Sequence, residues 1–245
     1  MTDLRLYADL AGWFHLLTHP DDYAEEAAIF RQVLEAAAGG PLGDVLELGS
    51  GGGNNASHLK AHWRLTLTDL SEEMLEISRG LNPELEHHQG DMRSLRLGRT
   101  FDAVFLHDAA AYLLTPDDLA ATARTIAAHL RPGGVALAVP DDTLETFDGG
   151  TDDGGHDDGD RGVRYLSWCF DAAPVDHRVT THYVYLLRDG DAVTTVREDH
   201  VTTAFPTQLW LDALTGAGLE AWTEPFPHSE VEEGAILFVA RKPAG

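Results

Sequence analysis

An apolar run that ends in a glycine cluster is the feature that most constrains this chain. Residues Val45 to Gly53 read Val-Leu-Glu-Leu-Gly-Ser-Gly-Gly-Gly. A buried parallel strand that turns sharply into a helix needs residues that accept positive φ and allow a ligand close to the backbone. Gly49, Gly51 and Gly53 satisfy both conditions. The run therefore predicts a strand, a tight turn and a helix, with a ligand bound at the turn.

The residues around this turn narrow the class of ligand. The dinucleotide-binding fingerprint is Gly-x-Gly-x-x-Gly, and its third glycine would fall at Asn54 here. Glu47 lies two residues before the first glycine, where a carboxylate disfavours a pyrophosphate. A sulfonium cofactor that also carries an amino group suits an acidic side chain beside the turn. The sequence predicts S-adenosylmethionine, with a nicotinamide-dependent oxidoreductase as the weaker alternative.

Length and composition favour one main domain. The 245 residues, 43% of them hydrophobic, suffice for a packed α/β core that an insertion elaborates. No stretch approaches the roughly 20 apolar residues of a membrane span, and the first residues lack the pattern of a signal peptide. Cys169 is the single cysteine, which excludes an internal disulfide and a cysteine metal cluster. We expect a cytoplasmic protein with no membrane partner.

The formal net charge of −24 argues against partners that need a basic surface. It repels phosphate backbones at every range that salt leaves unscreened, so nucleic acid is not expected as a partner. A protein or RNA methyltransferase is a weak alternative for the same reason. An Asp-rich solvated surface, or selection for a cationic substrate, accounts for the charge.

Apolar periodicity predicts strands and helices that alternate along most of the chain. The predicted helices cover Asp21–Ala38, Asn55–His62, a stretch from Ser71, Asp117–Leu130 and Thr207–Ala217. After the strand at Val45, the predicted strands cover Arg64–Thr68, Glu86–His88, Asp102–Leu106, Val135–Val139, Ala221–Pro225 and Ala235–Arg241. This order predicts a Rossmann-like α/β fold with a doubly wound, mainly parallel sheet of seven strands.

Residues 141–162 interrupt the alternation with nine acidic residues and six glycines. We expect a loop or lid there; a metal site at His156 and a disordered segment remain open alternatives. Three antiparallel strands should follow, at Val163–Phe170, Val179–Arg188 and Ala192–Ala204. The expected organisation is a cofactor-binding core with an N-terminal flap (1–140), an acidic loop and antiparallel sheet inserted after the fifth strand (141–205), and a closing segment (206–245).

Polar residues stand where the predicted parallel strands end, which is the edge at which ligands bind in this topology. Asp69 closes the second strand twenty residues after the first glycine of the turn, the distance at which a carboxylate meets ribose hydroxyls. Asp91 and Met92 follow the third strand and suit the amine and ring of an adenine. His107 and Asp108 close the fourth strand and should face the reacting end of the cofactor and the substrate.

These residues together resemble the class I S-adenosylmethionine-dependent methyltransferases. The matching residues are Glu47-Leu-Gly-Ser-Gly-Gly-Gly53, Thr68-Asp-Leu-Ser71 with Met74 and Leu75, Gly90-Asp-Met92, Phe101-Asp-Ala-Val104 and Leu130-Arg-Pro-Gly-Gly134. The resemblance implies that the three glycines pack under the cofactor, with Glu47 near its amino acid moiety. It also implies that Asp69, with Leu70 beside it, binds the ribose and that Asp91 and Met92 bind the adenine.

A narrower resemblance is to small-molecule methyltransferases that include aminosugar N-methyltransferases. The matches are Asp22-Tyr-Ala-Glu-Glu-Ala27, Thr181-His-Tyr-Val184 and Glu198-Asp-His200 running to Phe205. The resemblance implies that Tyr23 reaches the methionine tail of the cofactor and that the added sheet builds the acceptor pocket. One departure is Ala109-Ala-Ala-Tyr-Leu113, which has no histidine where some of these enzymes place a catalytic one.

Methyl transfer from a sulfonium is an in-line displacement, so the protein mainly aligns the acceptor and excludes water. An amine or an alcohol acceptor is served by a base of near-neutral pKa. The residues that we predict to act in catalysis are His107, Asp108 and His182. The residues that we predict to contact the acceptor are Tyr7, Trp13, Tyr112 and Tyr183.

The sequence thus predicts methyl transfer from S-adenosylmethionine to a nitrogen or an oxygen of a small molecule. A non-catalytic protein that binds the same cofactor is the main alternative. No metal ligand set is predicted. A homodimer is one assembly that the residues allow.

Overall fold

A seven-stranded sheet forms the centre of the computed structural model, which describes residues 4–170, 176–229 and 234–245. Its strands are β1 (Asp44–Leu48), β2 (Arg64–Asp69), β3 (Glu86–Gln89), β4 (Phe101–His107), β5 (Leu130–Val139), β11 (Glu220–Pro225) and β12 (Ile236–Arg241). The order across the sheet is β11-β12-β5-β4-β1-β2-β3. Strands β1 to β5 pair in parallel, and β12 pairs antiparallel with both β5 and β11. The predicted Rossmann-like architecture is confirmed.

Helices cover both faces of this sheet because the central strands are apolar on both sides. The helices are α1 (Phe14–Leu17), α2 (Ala24–Ala38), α3 (Asn54–Leu59), α4 (Glu72–Leu81), α5 (Pro116–His129) and α6 (Thr207–Gly216). One apolar cluster joins the sheet to α5 and α6, and a second joins its other face to α2 and α3. In the part of the chain that the structure describes, no helix has the length and apolar character that a membrane crossing needs.

Helix α2 illustrates how the sequence sets these elements. It begins at Ala24, after a 3-10 turn at Pro20–Tyr23, and ends at Ala38. The next residue, Gly39, has a φ of 75°, the left-handed conformation common after a helix. Phe30 and Leu34, one helical turn apart, are fully buried against the sheet. Helix α2 therefore fixes the position of its first residues, which lie next to the ends of β4 and β5.

A second, antiparallel sheet is inserted between β5 and α6, as the sequence predicted. Its strands are β6 (Gly150–Gly154), β7 (Asp157–Asp158), β8 (Arg161–Cys169), β9 (Arg178–Asp189) and β10 (Ala192–Thr203). The order is β10-β9-β8-β6, with β7 also paired to β8. The turn between β9 and β10 lies at Gly190, whose φ is 59°, as expected for an Asp-Gly hairpin.

The prediction that residues 141–162 form only a loop or lid is wrong. Strands β6 and β7 lie in this segment, and β6 pairs with β8 from Gly150↔Cys169 to Gly154↔Tyr165. The segment escapes recognition because β6 is an exposed edge strand without buried alternate residues. Its backbone bonds to β8 stabilise it, and side-chain patterns do not report such bonds.

The two faces of the second sheet differ. The inner face packs against the N-terminal segment, which runs from Leu4 to Thr18, through a cluster of buried apolar side chains: Leu6, Leu10, Leu17, Val163, Tyr185, Leu187 and Val196. The outer face exposes large apolar side chains: Leu166, Trp168, Phe170, Val184, Leu186, Val193 and Val201. Because side chains alternate along a strand, each residue of β8 and β9 belongs to only one of these faces.

Candidate active site

The glycine turn after β1 adopts backbone conformations that favour glycine. The φ angles of Gly49, Gly51 and Gly53 are 66°, 51° and 77°. A side chain at Gly49 would collide with the Cβ atom of Ala109, in the turn after β4. A side chain at Gly53 would collide with residues of α4. These glycines therefore allow the turn to lie close to both β4 and α4.

Asp69, at the end of β2, holds this turn in place. Its Oδ2 accepts a hydrogen bond of 2.9 Å from the Gly51 amide, and its Oδ1 accepts one of 2.9 Å from the Ser71 amide. Burial raises the pKa of Asp69, while the amide hydrogen bonds act in the opposite direction. The carboxylate lies between the turn after β1 and the start of α4, where the sequence predicts a ribose contact.

Asp91 and its neighbour are tied to the rest of the chain. The Arg93 guanidinium donates to both carboxylate oxygens of Asp91, with a shortest distance of 2.6 Å, and these bonds lower the pKa of Asp91. Arg93 also donates to Asp118 of α5 at 3.0 Å. Met92 is half-buried, and Leu70 is 48% exposed. The adenine and ribose contacts of these residues stay predictions.

Four carboxylates surround one imidazole at the ends of β4 and β5. His107 Nε2 lies 3.0 Å from Asp108 Oδ1, and His107 Nδ1 lies 3.5 Å from Glu26 Oε1 of α2. Asn55 Nδ2 donates to Glu26 at 2.8 Å. The other two carboxylates belong to Glu47 of β1 and to Asp141, and their charges act on this group.

Burial and the charges of neighbouring residues determine which members of this group are protonated. Burial opposes charge on His107, but Asp108, Glu26 and Asp141 outweigh it and raise the pKa of His107 to about 9. The His107 imidazolium in turn keeps the pKa of Asp108 low, against the effect of burial. Burial raises the pKa of Glu26 to about 7 and that of Glu47 to about 8. His107 and Asp108 therefore form an ion pair at neutral pH.

The side chain of Asp141 is exposed, whereas that of Glu26 is half-buried and that of Glu47 is buried. Loss of hydration beside the surrounding residues, and then the charge of Asp108, raise the pKa of Asp141 to about 7. Asp108 has a φ of 39°, a conformation that non-glycine residues rarely adopt and that is common at functional sites. Both carboxylates are accessible to a ligand.

A cavity of about 220 Å³ lies beside this group. The residues that line it are Tyr23, Glu26, His107, Asp108, Val139, Pro140, Asp141, Asp142, Thr143, Thr146, Phe226, Ala235 and Ile236. Tyr23 Oη donates to Asp108 Oδ2 at 3.4 Å. The structure thus brings three predicted residues, Tyr23, His107 and Asp108, together at one cavity.

A hydrogen-bonded chain joins the N-terminal segment to the second sheet. The hydroxyls of Tyr7 and Tyr112 lie 2.9 Å apart, and Tyr112 Oη lies 2.8 Å from His200 Nδ1. The Glu198 carboxylate accepts from the backbone amide of Leu6 at 3.2 Å and lies 3.7 Å from His200 Nε2. Two predicted acceptor residues, Tyr7 and Tyr112, thus belong to a buried polar chain.

Other predicted residues lie elsewhere. His182 is on the outer face of β9, where its Nδ1 pairs with Asp199 at 2.7 Å and its ring stacks on Phe170. The structure therefore does not bring His182 to His107, because strand alternation turns it away from the inner face. The ring of Trp13 is covered by the Arg161 guanidinium at 4.0 Å. Tyr183 is on the inner face and packs on His200.

Three residues of the site were missed by sequence reasoning: Glu26, Asp141 and His200. Glu26 follows Tyr23 by three residues, so the same helical face carries both. Asp141 follows the fifth strand, where the strand-end argument used for Asp69 and Asp108 applies equally. His200 lies in the matched stretch that begins at Glu198, but only the folded sheet places it beside Tyr112.

The acidic loop does not supply a metal site among the residues that the structure describes. No group of three His, Cys, Asp or Glu side chains there has a suitable arrangement for a metal ion. His156 instead lies 3.0 Å from Asp22, and its backbone amide donates to Leu16. This residue therefore links the insertion to the N-terminal segment.

Comparison with known proteins places this geometry in a family. The methyltransferase domain family matches residues 45–134. A dTDP-3-amino-3,4,6-trideoxy-α-D-glucopyranose N,N-dimethyltransferase of Streptomyces venezuelae is 32% identical over 216 residues, which cover 87% of this chain and 90% of that protein. The chain belongs to this methyltransferase family. It is an S-adenosylmethionine-dependent enzyme that methylates a small molecule, as predicted.

Solved structures agree with this assignment. The crystal structure of Streptomyces venezuelae DesVI has a TM-score of 0.82 at 30% identity and covers 97% of this chain and 98% of its own. CalS10, an amino pentose methyltransferase from Micromonospora echinaspora bound to S-adenosylmethionine, has a TM-score of 0.77 at 26% identity. The alignment with CalS10 covers 90% of this chain and 91% of that chain.

The residues at the glycine turn fit S-adenosylmethionine. Glu47 is 4% exposed, and its Oε2 has no hydrogen-bond partner among the residues that the structure describes. A buried carboxyl group without a partner is costly, and the ammonium group of a bound cofactor would stabilise its charged form. Glu47, the three glycines and Asp69 would hold the cofactor at this turn.

Replacing Asp69 tests whether the residues at the glycine turn bind the cofactor. Asp69→Ala should weaken binding of S-adenosylhomocysteine by about 1–3 kcal/mol, the usual value of charged hydrogen bonds. Isothermal titration calorimetry measures the change. Asp44→Ala is the matched control, since Asp44 pairs with Arg64 at the opposite end of the same strands. An unchanged dissociation constant for Asp69→Ala would rule out a cofactor role.

Glu26 should make the stability of the fold depend on pH. With its pKa raised from 4.5 to about 7, native Glu26 keeps a proton that the unfolded chain has released. The stability due to this proton is complete below pH 4.5 and is lost as the pH rises through 7. Glu26→Gln, which keeps the neutral form, should therefore raise the Tm relative to wild type more at pH 8 than at pH 5.

Differential scanning fluorimetry measures this difference, with Glu25→Gln as the control in the same helix. The Glu25 carboxylate accepts hydrogen bonds from Ser229, which lower its pKa below the usual 4.5. Its titration therefore lies below pH 5, and the Tm difference for Glu25→Gln should be constant between pH 5 and pH 8. A larger gain for Glu26→Gln at pH 5 than at pH 8 would contradict the assignment.

Proposed function

We propose that this enzyme methylates the amino group of an amine-bearing, sugar-like small molecule. The observation that carries the proposal is the group of carboxylates around His107 at a cavity that lies at the ends of β4 and β5. An amine in water is largely an ammonium ion, and carboxylates attract it. The relatives are sugar N-methyltransferases, among them the enzyme from Streptomyces venezuelae, and they support the same acceptor chemistry.

The amine must give up a proton before its nitrogen can act as a nucleophile. S-adenosylmethionine, when bound, supplies a methyl group on a sulfonium for in-line displacement. Asp141 lines the cavity and has a pKa of about 7, so its carboxylate is suited to accept the ammonium proton near neutral pH. His107, with a pKa of about 9, is already protonated and stabilises the Asp108 carboxylate instead of acting as the base.

The cofactor contacts follow from the position of the turn. We propose that Glu47 binds the cofactor's ammonium group and that Asp69 binds its ribose. Tyr23, whose hydroxyl bonds to Asp108, lies where the cofactor's methionine tail and the acceptor would meet. Asp91 and Met92 would lie on the adenine side, where the bonds to Arg93 fix the Asp91 carboxylate.

Replacement of the proposed base tests the assignment. Asp141→Asn should lower kcat by about 10²–10⁴-fold, the usual contribution of a general base, and leave the affinity for S-adenosylhomocysteine unchanged. Methylation of 3-amino and 4-amino deoxysugars, followed by mass spectrometry, measures kcat. His182→Ala is the control, since His182 lies on the outer face and should tolerate replacement. Equal losses in the two variants would contradict the proposed role of Asp141.

We also propose that a second copy of the chain covers the outer face of the second sheet. Contiguous exposed apolar side chains of this kind mark interaction surfaces. The same face carries Arg197 beside Asp199, with 3.6 Å between their charged atoms. In a two-fold dimer this face would meet the same face of the second copy, so its apolar side chains would pack together and its charges of both signs could pair. A face as acidic as the chain as a whole would instead repel its copy.

Sedimentation velocity tests this assembly. The wild-type chain should be a dimer, and Trp168→Asp, in the centre of the outer face, should give a monomer because it buries a charge in the interface. Leu144→Asp is the control, as Leu144 is exposed but outside the second sheet. A wild-type monomer at all concentrations would refute the proposal.

A further inference from the structure

The cavity changes character along the edge of the central sheet. Strand β11 runs antiparallel to β12, which runs antiparallel to β5, so β11 ends at the same edge as β4 and β5. The cavity residues that follow β4 and β5 include the carboxylates Asp108 and Asp141, whereas Phe226 follows β11 and Ile236 begins β12. Because the order across the sheet is β11-β12-β5-β4, one end of the cavity is acidic and the other end is apolar.

The ring of Phe226 is held in the wall of the cavity by aromatic and backbone contacts. It stacks on the ring of Phe30 in α2, with ring centroids 5.5 Å apart. Phe30 is fully buried, and its ring centroid lies 5.1 Å from that of His107. The backbone amide of Phe226 donates to the carbonyl oxygen of Ala235 at 3.0 Å. These contacts fix the position of the Phe226 ring relative to His107.

Glu25 attaches the chain that follows Phe226 to the start of α2. Its carboxylate accepts hydrogen bonds from the backbone amide of Ser229, at 3.0 Å, and from the Ser229 hydroxyl. Glu25 belongs to the first turn of α2, which also carries Glu26 and begins directly after Tyr23. Tyr23 and Glu26 line the same cavity as Phe226. The aromatic ring and the acidic side chains of the cavity are therefore joined through one helix.

The hydroxyl groups in the lining of the cavity already bond to other residues. The hydroxyls of Thr143 and Thr146 lie 3.2 Å apart and bond to each other, and Thr146 also bonds to the backbone of Thr143. The Tyr23 hydroxyl donates to Asp108. A ligand hydroxyl placed against Phe226 would therefore lose its hydrogen bonds to water without a replacement from the ring. A methylene or methyl group in the same place is stabilised by leaving water.

From these contacts we infer that Phe226 is a specificity-determining residue, which packs on the carbon next to the amine-bearing carbon of the acceptor and disfavours a hydroxyl group there. The inference rests on the proposed function and assigns one part of acceptor recognition. The amine binds at the acidic end of the cavity, and the deoxygenated carbon beside it lies against Phe226. The selection concerns only the ring that carries the amine, so it applies equally to an acceptor that is linked to a nucleotide.

Steady-state kinetics with two matched acceptors tests the inference on the full chain with S-adenosylmethionine. The acceptors are dTDP-3-amino-3,4,6-trideoxyglucose and dTDP-3-amino-3,6-dideoxyglucose, which differ only in one hydroxyl, on a carbon next to the amine-bearing carbon. The trideoxy sugar should have a kcat/KM at least about 10-fold higher, the discrimination that an apolar pocket typically achieves. An equal or higher kcat/KM for the dideoxy sugar overturns the inference and leaves the proposed function intact. Methylation of neither sugar would overturn both.

A polar replacement of similar size separates the contact with the acceptor from a purely structural role. Phe226→Gln retains bulk against Phe30 but supplies an amide that can bond to a hydroxyl. It should lower the preference for the trideoxy sugar by about 10-fold, mainly through KM, and leave the affinity for S-adenosylhomocysteine unchanged. Phe226→Leu, which keeps the wall apolar, should retain the preference.

Trp222→Gln is the matched control for this replacement. Trp222 belongs to β11 and packs against the same apolar cluster as Phe226, but it does not line the cavity. Its replacement should lower the Tm without changing the preference between the two acceptors. An unchanged preference in Phe226→Gln, or an equal loss in Trp222→Gln, would remove Phe226 as the cause of the discrimination.

Discussion

The close approach of two turns determines where the chemistry of this protein takes place. The turn after β1 and the turn after β4 touch at Gly49 and Ala109, where any side chain on Gly49 would collide with Ala109. This contact brings His107 and Asp108 beside the residues that we propose to hold the cofactor. Because the neighbouring strands β1 and β4 are parallel, both turns emerge at the same edge of the sheet. We call the turn after β1, with Glu47 and Asp69, the proposed cofactor half of the site, and we call the residues around His107 and the cavity its proposed acceptor half. The missing side chain at Gly49 therefore sets the distance between the two halves.

The protonation states of the acidic residues in the acceptor half follow from their close spacing. Glu26, Glu47, Asp108 and Asp141 cannot all carry charge in a partly buried space, and one imidazolium compensates only part of the repulsion. The Asp108 carboxylate takes the charge because His107 lies 3.0 Å from it. The remaining acids titrate between pH 7 and 8. This distribution of charge is what the proposed reaction needs, because a charged carboxylate attracts an ammonium ion and a carboxylate of near-neutral pKa can accept its proton.

Much of the cofactor half is predictable from the sequence because it depends on local rules. Glycines at a strand-to-helix turn and a carboxylate at the next strand end have fixed positions relative to the parallel sheet, and Gly51 and Asp69 do meet there. The position of His107 follows from the same rule. The role of His107 does not, since its pKa depends on Glu26 and Asp141, which come from other parts of the chain.

The acceptor half is less predictable from the sequence, because it depends on strand register and on contacts between residues that are far apart in the chain. A shift of one residue turns a strand residue to the other face, and His182 and Tyr183 are neighbours in sequence but lie on opposite faces. The edge strand β6 has no apolar alternation because water covers one side and β8 supplies its hydrogen bonds. The strand β6 therefore cannot be inferred from the composition of residues 141–162.

The hydrogen-bonded chain from Tyr7 to Glu198 links the acceptor half of the site to the N-terminal segment. Tyr7, Tyr112 and His200 belong to the N-terminal segment, the turn after β4 and the second sheet, and their hydrogen bonds join these three parts. The N-terminal segment also contacts the glycine turn, because His15 Nε2 lies 3.1 Å from the carbonyl oxygen of Gly52. One segment therefore joins the second sheet, the turn after β4 and the glycine turn. A change in this segment would alter the site that we propose for the acceptor and the site that we propose for the cofactor together.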